Sequence, residues 1–510
     1  MSIFNREPGS TRQQGAVLRL GFSQSGDMFE DNLDRSKYVN DPIHGYISLS
    51  ESTLQFIDTP QFQRLRHLKQ LGTSYHVFPG ASHNRFEHCI GTSYLSAQVV
   101  EGLMQRQPEL GISDRDIRCV TLAGLCHDLG HGPFSHVFDN EFIPRVTFGD
   151  CKWSHEEGSE MMLHHTIDEN SIDIDNDDIR FIKQLIRGST SKRVGDEKMF
   201  LFDIVANKRN GVDVDKFDYI QRDCYNVGVK SSYDFSRLML NSRVIDDEIC
   251  YNHKEAYNLT EMFHTRYSLH KRVYSHRAAK AIEFMIVDAM ILANPVLKIS
   301  DAIGDPRLYQ RLTDNILRDI EYSQEPELQE ARDIISRIYK RDIYRFVDEF
   351  ILPPDLGSLA ENQTISASAI AGYRRENDDF TENDILINIC NIHYGMRKEN
   401  PVDHVGFYSK FKKNTRLSIS TEFISLCVPQ KYEECIVRIF TRTPSKRKQI
   451  QEAARRLMAV LNTRIHSGSS ECHSSNAQSP NITPNRGLTL PDELSDSAGK
   501  RRRLEFNGHS

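Results

Sequence analysis

The stretch Thr121-Leu-Ala-Gly-Leu-Cys-His-Asp-Leu-Gly-His-Gly-Pro-Phe-Ser-His136 most constrains what this chain can fold into. An apolar helical segment runs straight into the adjacent pair His127-Asp128, and Gly130, Gly132 and Pro133 then end the helix. A helix that buries apolar residues and presents an imidazole and a carboxylate at its end offers the donors of a divalent metal site. Zinc, iron, manganese and magnesium all accept such donors, depending on geometry. A lone His-Asp doublet also serves to cap and salt-bridge a buried helix end, so other residues must decide between the two readings.

A chain of 510 residues is long enough for a large core and more than one lobe. Its net charge of −7 argues against a chain-wide nucleic-acid coat and leaves room for local basic patches. The ten cysteines are scattered without CxxC pairs and no signal-peptide pattern opens the chain, which points to reduced thiols in a cytosolic or nuclear protein. The longest apolar stretch, Ile282 to Leu297, is broken by Glu283 and Asp288 and reads as a buried helix, so no membrane partner is expected.

Residues 1–36 are polar and without periodicity and read as a flexible arm. Tyr46 to Leu49 alternates as a short strand or hairpin does. Thr59 as N-cap, Pro60 at the first helical position and Gly72 past the end frame an expected helix, with Gln63, Arg64, Arg66, Lys69 and Gln70 on its polar faces. Ile90 to Met104 is helical in pattern, and Ser113-Asp-Arg-Asp116 forms a capping-box start for the His127-Asp128 helix. Residues 154–166 and 177–187 also read as helices. At 212–224, Lys216, Tyr219 and Asp223 share one helical stripe while Val214, Phe217 and Ile220 form the packing face. In Arg266 to Arg277, Arg266, His270 and Tyr274 repeat every four residues, as do Arg272 and His276 on another face. Helix is expected from about 300 through Phe350, then alternating segments at His404 to Lys410, Leu417 to Leu426 and Glu434 to Thr441, a small mixed α/β lobe. The Ser-, Asn- and Pro-rich residues 466–510 read as a disordered tail. The expected divisions are thus 1–36, a core over 37–350, a C-terminal lobe over 351–465, and the tail.

His88, His127-Asp128 and Asp215 stand in the order H…HD…D of the HD-domain metallophosphohydrolases. Four longer segments are more specific: Asp58-Thr-Pro-Gln-Phe-Gln-Arg-Leu-Arg66, Phe78-Pro-Gly-Ala-Ser-His-Asn-Arg-Phe-Glu-His88, His127-Asp-Leu-Gly-His-Gly-Pro-Phe-Ser-His136 and Asn207-Lys-Arg-Asn-Gly-Val-Asp-Val-Asp-Lys216. With them the chain resembles the vertebrate-type sterile-alpha-motif and HD-domain deoxynucleoside triphosphate triphosphohydrolases, from about Lys37 to about Arg455. The preceding 36 residues are too short for a sterile-alpha-motif domain.

The resemblance implies a mainly α fold, an HD-domain helical core with a small mixed α/β C-terminal lobe. It implies hydrolysis of a dNTP at the α-phosphate to deoxynucleoside and intact triphosphate, which would lower dNTP pools and restrict viral reverse transcription. Zinc or iron would sit on His88, His127, Asp128 and Asp215, with magnesium on the nucleotide phosphates. His155 matches the proposed catalytic histidine, with His131 and His136 in the phosphate pocket and Asp139 orienting one of them; which imidazole donates the proton stays open, and Glu156 is a second candidate to orient His155. Arg85, Lys216 and Arg266 would hold phosphate oxygens, and Gln70, Leu71, Tyr219, Asp223, His270 and Tyr274 would surround the sugar. The resemblance further implies activation by nucleotides between subunits. A GTP site would use Lys37, Tyr38, Asp58, Gln63, Arg66 and Arg341, and a dNTP effector site Asn40, Val77, Phe78, Arg237, Lys254, Asn258, Arg272, His276, Arg277 and Lys410. The expected assembly is a homotetramer when activated and a monomer or dimer otherwise, with one rigid helix over 266–277 linking substrate and effector. The chain departs from the family at Ser275, where glutamine is usual, at Asn252 for arginine and at Arg277 for lysine.

Two tail motifs stand apart from the fold. Thr483-Pro-Asn-Arg486 fits a proline-directed kinase site, and Lys500-Arg-Arg-Arg503 reads as a nuclear import signal or as solubilising charge. The expected compartment is the nucleus, with the cytoplasm as alternative. Two other functions remain in play: an HD phosphohydrolase of other specificity, and a single-stranded nucleic-acid-binding protein using the effector surface.

Overall fold

The computed structural model describes residues 37–188, 198–353, 364–419 and 424–468. The expected arm over 1–36, nearly all of the expected tail, Thr483 and Lys500 to Arg503 lie outside the described residues. The chain opens on an antiparallel hairpin, β1 (Lys37–Asp41) with β2 (Gly45–Leu49), in which Lys37 faces Leu49 and Asp41 faces Gly45. The helices that follow share one large core, built around α1 (Arg85–Arg106), α2 (Asp114–Cys126), α3 (His155–Asn170), α4 (Asn176–Arg187), α5 (Val214–Val227), α6 (Ala256–Leu269), α7 (Arg277–Leu297) and α8 (Gln329–Tyr339).

Local chemistry fixes where these helices begin. Asn84 and Glu87 form a reciprocal capping box at α1, and Ser113 with Asp116 does the same at α2. Ser154 caps α3 by accepting from the Glu157 amide, and Asp213 caps α5 by accepting from Lys216. The buried α7 is the longest apolar run. No helix among the described residues is long and apolar enough to cross a membrane.

Four segments differ from the periodicity reading, one of them Leu417 to Leu426, where the strand is Lys412–Leu417 and the described residues beyond it are not strand. The expected helix after Thr59 is only Pro60–Gln63 followed by a 3-10 turn, Arg64–His67. Beyond it the chain is drawn into strand-like pairing, with the Gln70 amide donating to the His83 carbonyl at 3.0 Å and the Arg85 amide to Leu68 at 3.0 Å. The stretch 266–277 is not one helix: α6 ends at Leu269, a π-helical turn spans His270–Tyr274, and α7 starts afresh at Arg277 with His276 as its cap. Helix also does not persist through Phe350, because β5 (Arg345–Leu352) is a strand that crosses position 350.

Two further sheets draw on the C-terminal part of the chain. A four-stranded sheet orders β3 (Ser242–Ile245), β4 (Glu248–Asn252), β7 (Phe407–Ser409) and β8 (Lys412–Leu417), with β4 and β7 parallel. A three-stranded antiparallel sheet places β9 (Glu433–Thr441) between β5 and β6 (Ile385–His393). The terminal helix α9 (Arg447–Gly468) buries Ile450, Ala453 and Leu457 against that sheet in a second, smaller core.

Candidate metal centre and catalytic cavity

Four helix ends converge on one cavity. His88 comes from the first turns of α1, His127 closes α2, His155 is the first residue of α3, and Asp215 and Lys216 lie in the first turn of α5. Three of these four ends are N-termini, whose free amides and dipoles favour anions. The cavity of about 510 Å³ is lined by Gln70, Leu71, Arg85, His88, Asp128, His131, His136, His155, Asp215, Tyr219, Asp223, Arg266, His270 and Tyr274, among others. That volume suits a small organic ligand.

At its floor the Nε2 atoms of His88 and His127 are 3.2 Å apart. Asp215 Oδ1 is 3.2 Å from His88 Nε2 and 3.5 Å from His127 Nε2, while Asp128 places Oδ2 3.6 Å from the first and Oδ1 3.5 Å from the second. Two imidazoles and two carboxylates at these separations fit the coordination sphere of a divalent cation. The far nitrogens are already committed: His127 Nδ1 donates to the Gly124 carbonyl at 2.8 Å, and His88 Nδ1 meets Asp218 Oδ2 at 2.7 Å. Such contacts fix ring orientation and turn Nε2 inward. Burial alone would lower the His88 imidazole, but Asp215, Asp218 and Asp128 outweigh it and raise it to about 10, the mark of a pocket whose negative charge a cation relieves.

Beside this floor lies a cluster of three imidazoles. His131 stacks on His155 with ring centres 4.1 Å apart, and His136 stands edge-on to both. Asp139 Oδ2 is 2.7 Å from His155 Nδ1, whereas Glu156 reaches only to 3.6 Å, so Asp139 is the group that orients His155. Burial lowers His131, and Arg85 and His155 lower it further, leaving a neutral ring. On His155 burial also acts downward, but the Asp139 hydrogen bond and nearby carboxylates prevail and raise it.

The polar residues expected around a substrate are distributed as follows. Arg85 pairs with Asp128 and donates Nε to Ser135 Oγ at 2.9 Å. Arg266 lines the cavity with Nη1 on the His393 carbonyl at 2.8 Å, and its buried Nε has no hydrogen-bond partner. Lys216 is not in the cavity wall; its ammonium rests on Asp213 at 2.9 Å. Tyr274 donates its hydroxyl to Asp223 at 2.5 Å, and Asp223 also meets His83 at 2.7 Å.

Of the residues expected to bind effectors, Lys37 and Asp58 pair at 3.1 Å on the surface, Gln63 donates to the Ile57 carbonyl and accepts from Arg66, and Arg341 donates to the His76 carbonyl. Tyr38, Arg272, Arg277 and Lys410 are exposed. Phe78 packs edge-on against His276, Arg237 pairs with Glu255 at 2.7 Å, and Asn258 donates to the same glutamate at 3.0 Å. Asn40 lies on β1, Val77 just past the 3-10 turn Gly72–His76, and Lys254 in the turn before α6.

Sequence reasoning assigned no role to several supports. Asp218 is fully buried and, besides His88, holds His44 at 2.7 Å and Arg222 through two bonds of 2.8 Å; its i, i+4 spacing to Arg222 was the available signal. Arg64, which reads as solvated charge, is buried and donates to the carbonyls of Leu129 and His131 at 3.3 and 2.7 Å, pinning the loop after the His-Asp pair. Asp314 accepts from the Phe134 and Lys69 amides at 2.6 and 2.8 Å. A chain of ion pairs, Arg145–Glu141–Lys280–Glu283, ties the turn that carries Asp139 to α7.

A family model described as the HD domain matches residues 85–223, a span that contains all four donor residues at the cavity floor. Fold and donor set together define an HD-domain protein whose histidines and aspartates suit a divalent metal. The chain is also similar along most of its length to deoxynucleoside triphosphate triphosphohydrolases. It is 45% identical over 424 residues to the SAMHD1 homolog of Dictyostelium discoideum (83% of this chain, 80% of the relative). It is 42% identical over 451 residues to SAMHD1 of Homo sapiens (81% and 71%) and 41% identical over 441 residues to SAMHD1 of Danio rerio (80% and 71%). The chain belongs to the SAMHD1 deoxynucleoside triphosphate triphosphohydrolase family.

Proposed function

We propose that this chain hydrolyses dNTPs at the α-phosphate, releasing deoxynucleoside and inorganic triphosphate. The observation that carries the reading is the single cavity in which the His88, His127, Asp128 and Asp215 donors adjoin an imidazole cluster, Arg85 and Arg266. A divalent cation on those four donors supplies charge neutralisation at a phosphoryl group. Arg85 and Arg266 hold phosphate oxygens, with Lys216 released from Asp213 as a third cation. Water adds to the α-phosphorus as its bond to the 5′-oxygen breaks, and that oxygen, a poor leaving group, takes a proton from His155, whose charged form the Asp139 hydrogen bond favours. His131 stays neutral and buttresses the ring of His155. Leu71 and the Tyr274–Asp223 pair close on the sugar, where tight packing rejects a 2′-hydroxyl.

The same proposal includes zinc or iron at the floor, magnesium with the phosphates, and activation by GTP and dNTP at subunit contacts of a homotetramer. The exposed cations Lys37, Arg272, Arg277 and Lys410 support it as points of attraction for polyanions on a chain of net charge −7. A nuclear enzyme of this kind lowers dNTP pools and restricts reverse transcription. The test is chromatography of products from dGTP, and from dATP with and without GTP, in magnesium. Deoxynucleoside plus triphosphate is expected, with dATP turnover stimulated by GTP and all turnover lost in His127→Ala. Monophosphate products would instead place the chain among HD phosphohydrolases of other specificity.

A further inference from the structure

One wall of the cavity is made by two loops, residues 69–72 and 132–136, which give Gln70, Leu71, Phe134, Ser135 and His136 to its lining. Phe134 and Ser135 both hold positive φ, 59° and 60°. Two consecutive non-glycine residues in the left-handed region persist only where their surroundings over-determine them, and such strain gathers at functional sites. Asp314 supplies the fixing contacts. Its Oδ1 accepts from the Phe134 amide at 2.6 Å and its Oδ2 from the Lys69 amide at 2.8 Å, so one carboxylate joins the two loops. The Lys69 carbonyl is held as well, accepting from Ser135 Oγ at 2.9 Å and from the Gly72 amide at 3.2 Å. That same hydroxyl accepts from Arg85 Nε at 2.9 Å. The loops also touch directly, since a Cβ on Gly72 would lie 2.7 Å from the Phe134 carbonyl oxygen. Between Lys69 and Gly72 stand Leu71 and Gln70, whose buried Oε1 has no hydrogen-bond partner. Asp314 itself lies outside the lining, in the turn before the short helix Ile316–Tyr322, so whatever it does for a ligand it does through these neighbours.

We propose that Asp314 is a positioning residue that locks the two loops into one wall and so keeps Leu71 close enough to the sugar to exclude a ribose. A carboxylate suits the task because it offers two acceptors and no donor, whereas an amide in its place offers one acceptor and sets an NH2 against a backbone N–H. Release of the Lys69 amide loosens the turn that carries Gln70 and Leu71, and a gap at Leu71 admits the 2′-hydroxyl that tight packing rejects. The sugar role rests on the dNTP reading given above; the clamp itself does not.

The experiment compares the full chain with its nearly isosteric variant Asp314→Asn by hydrogen–deuterium exchange, read by mass spectrometry, and by turnover of dATP and of ATP with GTP present. Peptides spanning 68–73 and 132–137 are expected to exchange about 10-fold faster in the variant, as loss of one hydrogen bond allows, with the sheet of β5, β9 and β6 unchanged. The ratio of kcat/KM for dATP over ATP is expected to fall about 10-fold. Ser135→Ala, which cuts the hydroxyl link between the same loops, should move the same segments and the same ratio, and it serves where Asp314→Asn does not fold. A carboxylate with a merely structural role would slow both nucleotides alike, so faster exchange with an unchanged ratio overturns the sugar role. Unchanged exchange at both segments overturns the clamp. Failure of the unsubstituted chain to turn over any dNTP would sink the hydrolase reading, and exchange would still decide the clamp.

Discussion

Asp139 reaches two imidazoles from one carboxylate, 2.7 Å to His155 and 3.7 Å to His136, and both contacts favour its ionised form, so it stays charged well below the usual carboxylate range. Its charge in turn sets the behaviour of His155. Burial would lower that ring below its ordinary 6.5, yet Asp139 and the neighbouring carboxylates raise it above that value. A raised folded value means that the acid form persists to higher pH, and that kcat falls as pH rises through it. Asp139→Asn is therefore expected to move the alkaline limb of the kcat profile to lower pH. The sign for stability is the same: the contribution is fully present below the unfolded value and lost as pH rises through the folded one, so the variant loses stability mainly on the acid side. A limb that stays in place in Asp139→Asn would remove Asp139 from the proton-transfer pair.

At the scale of elements, the site depends on how closely α3 packs on the loop after α2. A Cβ on Gly130 would lie 1.9 Å from the Ser159 nitrogen and 2.5 Å from the His155 carbonyl oxygen, so backbone meets backbone with no room for a methyl group. Ser159 completes the joint by accepting from the Gly130 amide at 2.9 Å and donating to the His127 carbonyl at 2.6 Å. Gly130→Ala is expected to push the first turn of α3, and His155 with it, away from the metal floor. Overpacking of this kind costs about 1–3 kcal/mol, and displacement of a catalytic group by about an ångström lowers kcat on the order of 100-fold. Thermal melting and kcat together check it; a normal Tm with normal kcat would show that the joint is slack. Much of this was legible in the chain: Ser113, Thr59 and Gly130 announce caps and breaks by local chemistry. Arg64 was not, because its partners are carbonyls at Leu129 and His131, and nothing within its own turn shows that its charge is buried. The strand Arg345–Leu352 was hidden for the same reason, since its partner β9 begins at Glu433 and the pairing alone decides between helix and strand.

Across the whole molecule, the C-terminal sheet grips the break between α6 and α7. His393 on β6 accepts from Arg266, Glu434 on β9 accepts from Lys271 at 2.6 Å, and Arg438 on β9 donates to the Ser275 carbonyl while its Nε bonds Glu349 on β5 at 2.6 Å. The π-helical turn between these anchors turns His270 and Tyr274 into the cavity and leaves Arg272 exposed. A π turn is a place where a helix admits two arrangements at low cost, and here both sides of it are held by one lobe. The effector proposed at Arg272 would then bias the cavity through the turn and the sheet that clamps it, in place of a single rigid helix. If nucleotides activate the chain between subunits as proposed, Arg272→Glu is expected to abolish both a GTP stimulation of dATP turnover and a nucleotide-induced tetramer, read by sedimentation, because a carboxylate there would repel the polyanion. Metal content and Tm of the isolated chain should not change, since the side chain is solvent-exposed. Stimulation lost while the tetramer persists would locate the coupling elsewhere, and a variant that keeps both would show that the effector does not touch this face of the turn.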